Sequence, residues 1–140
     1  MTAVAHAAPA GRPRSLLRSA LWFDALSVAG LGLLLLLLAG MLEPWLGLDA
    51  GFLRAVAILV LLPFAVLLAW TASRERTPRA IVGWIVGLNA LYVAASFAIL
   101  LFGWVQPTAL GTAFVVAQAL IGGAVALVEW VALRREAPAG

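Results

Sequence analysis

Between Arg18 and Arg54 the ionisable side chains are Asp24, Glu43 and Asp49, and Leu33 to Leu38 is an unbroken run of six leucines. A segment this long and apolar has no stable place on a surface facing water. Four such segments follow one another, at about 19–42, 51–72, 79–102 and 107–133. Each supplies the roughly 20 residues that a helix needs to cross a hydrocarbon core of about 30 Å. Lipid offers the backbone no hydrogen bonds, so a spanning segment must be a helix or part of a closed barrel. These runs lack strict alternation and are far longer than barrel strands of about 10 residues. The chain is also only 11% charged, less than half the roughly 25% of a soluble domain. The fold expected is an all-α membrane protein, an antiparallel four-transmembrane-helix bundle.

The connections are short: EPWLGLDA, SRERTPR and GWVQ. Loops of this length leave no room for a soluble catalytic domain and are expected to make consecutive spans antiparallel neighbours. Residues 1–14 and 136–140, rich in Ala, Pro and Gly, are expected to be tails outside a transmembrane domain at 15–135. The basic start before span one resembles a signal peptide, but its apolar part is too long and no small-x-small site follows, so retention is expected.

The basic residues are nine arginines and no lysine, for a net charge of +3. Arg12, Arg14 and Arg18 precede span one, Arg74, Arg76 and Arg79 separate spans two and three, and Arg134 and Arg135 follow span four. Arg54 alone falls on the other side. By the positive-inside bias both termini are expected in the cytoplasm, and the basic charge is explained without nucleic acid. Trp45 and Trp104 fit an outer aromatic belt, and Trp22, Trp70 and Trp130 an inner one, with Trp84 either an anchor or part of a site. The absence of cysteine excludes disulfides, thiol redox chemistry and Cys-ligated metals, and the one histidine, His6, lies in the N-terminal tail.

Polar residues inside the spans carry what functional information there is. At about 100° per residue, Ile85, Asn89, Tyr92 and Ser96 share one stripe of span three, opposite a stripe of Gly83, Gly87, Ala90, Ala94 and Ala98. The polar stripe is expected to face the bundle interior and the small-residue stripe, with its GWIVG motif, to meet another helix, a second copy being one source. In span four Gly111, Val115, Gln118, Gly122, Ala126 and Glu129 share a side. Gln118, near mid-bilayer, needs a polar partner, for which Asn89, Tyr92 and Ser96 are the candidates.

Asp24 and Glu129 both lie about one and a half turns inside the arginine-rich boundary. The simpler expectation is structural ion pairs, Asp24 with Arg18 or Arg79 and Glu129 with Arg134 or Arg135. The alternative, if spans one and four are neighbours, is that the acids share an inner-leaflet cavity with Asn89 and Tyr92 deeper in it. Elsewhere, Arg54 is expected to pair with Glu43 or Asp49, Pro63 to kink span two, and Pro107 to be the first residue of span four.

WFDALSVAGLGLLL, the FLRA start of span two, PRAIVGWIVGLNALYVAASF and PTALGTAFVVAQA with the late Glu and Arg-Arg resemble a family of small four-helix inner-membrane proteins of GC-rich bacteria. The resemblance implies fold and location, and no activity is established for that family. Small multidrug transporters carry a mid-span Glu where this chain has leucine, and quinone-coupled disulfide enzymes need cysteines. The function expected is non-enzymatic: binding of a lipid, a quinone-like amphiphile or a partner membrane subunit through Asp24, Asn89, Tyr92, Gln118 and Glu129 and the Gly/Ala face. No cofactor or metal is expected beyond such a bound lipid or quinone. Membrane lipids, a homo-oligomer or a larger membrane complex are the expected partners. The alternative is a small transporter or channel using Asp24 or Glu129 for protons, which the leucine-filled outer half of span one opposes. An enzyme is disfavoured because no nucleophile–base pair or metal constellation accompanies the two acids.

Overall fold

A computed structural model describes residues 16–136; both expected tails lie largely outside these residues. Among the described residues four helices are long and apolar enough to cross a membrane: α1 (Leu16–Leu46), α2 (Ala50–Ala72), α3 (Arg79–Leu101) and α4 (Ala109–Arg135). Their 23 to 31 residues exceed the roughly 20 that span the hydrocarbon core, so their ends extend into the interfacial layers.

Helix ends explain the boundaries. α1 runs through Pro44 to Leu46 and stops where Gly47 turns left-handed at φ 65°, a conformation glycine adopts without a Cβ penalty. Asp49 caps α2 by accepting from the Phe52 amide at 3.0 Å, and Glu43 accepts from the Ala50 amide at 3.0 Å. The two acids expected to pair with Arg54 thus serve the N-terminus of α2 instead, where backbone N–H groups are orphaned. Arg54 forms no ion pair among the described residues. Pro107 likewise lies before α4 rather than in it. Thr108 is the N-cap, accepting from the Gly111 amide at 3.0 Å. Its own amide and hydroxyl donate to the carbonyls of Leu46 (3.0 Å) and Trp45 (2.6 Å), tying α4 to the end of α1.

In α2, five residues, Ala57–Leu61, form a π-helical segment immediately before Pro63. A proline ring collides with the carbonyl four residues earlier, and one wide turn moves that carbonyl aside while keeping the helix continuous.

α1 packs against both α2 and α4, and α4 packs against α3. α2 and α3 touch sparingly, and only through the Leu62–Ala72 half of α2. Consecutive in the chain, these two helices are the least closely packed of the touching pairs. The Ser73–Pro78 connection brings their ends together without specifying how closely the rest must approach. Two apolar clusters form the core. One, at the arginine-rich end, gathers Leu17, Leu21, Leu68, Val82, Ile85 and Ala132. The other, at the opposite end, gathers Leu35, Ala39, Leu46, Leu53, Leu61 and Val115.

At the arginine-rich end Arg79 donates to the Leu133 carbonyl at 3.0 Å, and Arg18 donates to the carbonyls of Arg74 and Glu75. The guanidinium of Arg74 lies 4.0 Å from the centre of the Trp70 ring, and that of Arg134 lies 4.5 Å from Trp130. Such cation–π pairs suit the membrane boundary, where a ring meets lipid and a charge meets water. At the other end Phe102 stacks on Trp104 with centroids 5.5 Å apart.

Candidate functional site

Three helices each send one polar side chain to a common point. Asp24 of α1, Asn89 of α3 and Glu129 of α4 are 2%, 4% and 0% exposed. The Asn89 amide donates to Asp24 Oδ2 at 2.9 Å, between helices whose backbones do not approach closely. Glu129 lies beside both Asp24 and Asn89, yet neither of its carboxyl oxygens has a hydrogen-bond partner among the described residues. Ordinary packing puts them there. Asp24 is flanked on α1 by Leu21 and Ala25, and Glu129 on α4 by Ala126 and Ala132, all buried against neighbouring helices.

The expected structural ion pairs do not form. Arg18 and Arg79 point to backbone carbonyls, and Arg134 lies over Trp130. All three stay near the boundary, while the acids sit a turn or more deeper, among apolar side chains. A long basic side chain keeps its head in water by reaching outward, whereas a short acid cannot follow it.

A second polar group lies further from the arginine-rich end. Gln118 donates to Ser96 Oγ at 3.3 Å and to its own helix at the Val115 carbonyl at 3.0 Å. Ser96 donates to the Tyr92 carbonyl at 2.8 Å, and the Tyr92 side chain lies beside Gln118 and Ser96. Of the three partners open to Gln118, Ser96 and Tyr92 are the near ones and Asn89 is engaged with Asp24.

Between α2 and α3 a cavity of about 910 Å³ reaches these groups. Asp24, Asn89, Tyr92 and Gln118 line it, and Glu129 stands behind Asp24. Apart from Ser27, whose hydroxyl donates to the Phe23 carbonyl, the remaining wall is apolar, with Phe23 and Val28 of α1, Phe64 of α2 and Phe114 of α4 among its members. No sequence signal marked these residues, because an apolar side chain facing a cavity in a membrane protein reads like one facing lipid. Pro63 and residues Leu59–Leu61 of the π segment also line the cavity. The π turn is a structural mark of the site, since such turns frequently accompany functional sites.

No protein-family model, no curated protein and no solved structure matches this chain. The reading of the site rests on its own residues.

The second stripe of α3 faces away from the described bundle. Gly83, Gly87, Ala90 and Ala94 are exposed and Ala98 is half-buried. A Cβ at Gly83 or Gly87 would meet nothing within 4 Å. Trp84, 73% exposed, lies on the same side and takes no part in the cavity. Among the described residues no three His, Cys, Asp or Glu side chains gather.

Proposed function

We propose that this protein is a non-enzymatic, multi-pass inner-membrane protein that binds a lipid or quinone-like amphiphile in the cavity between α2 and α3. The observation that carries the reading is the form of that cavity. It is the size of a small-molecule site, mostly apolar, and furnished with convergent polar side chains, Asp24, Asn89, Tyr92 and Gln118 among them. The apolar clusters at the two ends of the bundle stand between it and the water on either side, while the loose α2–α3 contact leaves its flank toward lipid. An amphiphile entering sideways could leave its chain against Phe23, Phe64 and Phe114 and bring its head to the polar groups. The same clusters count against the alternative, a proton-coupled transporter or channel, which needs a polar path beyond Tyr92 and Gln118 in both directions. The arginine distribution supports an up-and-down bundle with both termini cytoplasmic, which would put the acids in the inner leaflet. The outward Gly/Ala stripe of α3 leaves a face on which a partner helix, such as that of a second copy, could pack closely.

Native mass spectrometry of the protein extracted in mild detergent tests this. The expected result is one retained amphiphile per chain, lost when Ala95→Trp fills the cavity that Ala95 lines. A bare chain, equally stable before and after delipidation, would remove the support for this reading.

A further inference from the structure

The polar groups at the inner end of the cavity do not balance. Asp24 and Glu129 present four carboxyl oxygens, and the side chain that answers them, Asn89, carries two N–H donors. One of these reaches Asp24 Oδ2. Among the described residues both oxygens of Glu129 lack a partner, in a side chain with no exposure at all. The nearest arginines turn away, to the Leu133 carbonyl and to the Trp130 ring. Buried acceptors without donors are costly anywhere and more so in a membrane, where water does not supply the missing bonds. Two acids held together by three helices, in excess of their donors and facing a cavity through Asp24, call for a donor-rich cation.

We propose that the occupant is an amphiphile with an ammonium head group, its nitrogen seated against Asp24 with Glu129 behind it and its hydrocarbon chain along the Phe23, Phe64 and Phe114 walls. This rests on the amphiphile-binding reading above and adds the head-group class. An ammonium of this kind brings N–H donors and a positive charge; Asp24, which lines the cavity, takes the direct contact, and Glu129, buried beyond it, adds its charge without touching the ligand. Gln118, which already donates to Ser96, and Tyr92 beside it flank the upper part of the ligand.

The test uses the full chain in a non-ionic detergent near neutral pH, with dodecylammonium and dodecanol as probes of equal chain length. Binding is read by native mass spectrometry and by the shift in thermal unfolding. Dodecylammonium is expected to bind one per chain and at least about tenfold more tightly than dodecanol, as for hydrogen bonds to charged groups. Asp24→Asn and Glu129→Gln should each lower the ammonium to the level of the alcohol and leave the alcohol unchanged. Equal binding of the two probes to the unmodified protein would overturn the head-group assignment and leave the amphiphile reading standing. Binding of neither would overturn both. A preference for ammonium that survives both substitutions would also overturn the assignment, by placing the attraction elsewhere. Should the acid variants fail to fold, Ala95→Trp keeps both acids and fills the cavity. Ammonium retained by that variant would count against the proposal, and its loss would support it.

Discussion

Asn89 is the polar residue on which the interior depends most. It supplies the side-chain donor to Asp24, and leucine in its place would strand a second buried carboxyl beside Glu129. Asn89→Leu is expected to destabilise the protein by about 1–3 kcal/mol, the cost of an unsatisfied buried polar group. Gln118→Leu should cost less, about 0.6 kcal/mol, because the interhelical bond lost is a longer one, 3.3 Å, to a hydroxyl that keeps its own donor bond to Tyr92. Unfolding of both variants in mixed micelles gives the order, and a Gln118→Leu loss larger than that of Asn89→Leu would contradict it. Angular spacing was enough to find Asn89, Tyr92, Ser96, Gln118 and Glu129 on inward faces, because a helix in lipid hides its polar groups. The arginines were harder to read. Sequence separation places Arg18 near Asp24 and Arg134 near Glu129, but it does not weigh a carbonyl or a tryptophan ring at the interface against an acid a turn deeper.

Among the elements, the contact between the end of α1 and the start of α4 is the tightest. A Cβ on Gly111 would collide with the backbone carbonyl of Leu46, whereas one on Gly30 would meet nothing within 4 Å. Backbone cannot step aside as a flexible side chain does. Gly111→Ala should therefore cost about 3 kcal/mol, at the upper end for overpacking, while Gly30→Ala should be neutral or stabilise by up to about 1 kcal/mol. Thr108→Ala removes the cap of α4 and should cost about 1 kcal/mol. Thermal unfolding of the three variants side by side gives the comparison. The four helices themselves were legible from length and apolarity, with ends displaced by a few residues: α1 continues through Pro44, and α4 starts after Pro107. Those shifts come from caps, which depend on one or two side chains and not on the apolar period. The π segment of α2 was not legible, since a proline permits a kink or a wide turn and neighbouring helices decide between them.

At the scale of the whole molecule, apolar clusters lie at the two ends of the bundle, and the cavity stands where α2 and α3 touch least. Reconstituted into liposomes, the protein should leave an imposed proton gradient to decay as slowly as in protein-free vesicles. Faster collapse, followed with an internal pH dye, would indicate a path through the Leu35–Ala39–Leu46 region and favour the transporter alternative. How α2 stands against α3 was beyond the reach of the sequence, because the connection constrains one pair of ends and apolar faces carry no mark of which neighbour they choose. That weak seam has a thermodynamic consequence. On the proposed reading a ligand enters by it from the hydrocarbon, so the quantity that sets occupancy is the ligand's mole fraction among lipids. An affinity quoted against aqueous concentration would fold in the ligand's partition coefficient, and two ligands held equally well by the cavity would appear to differ by the ratio of their solubilities in oil.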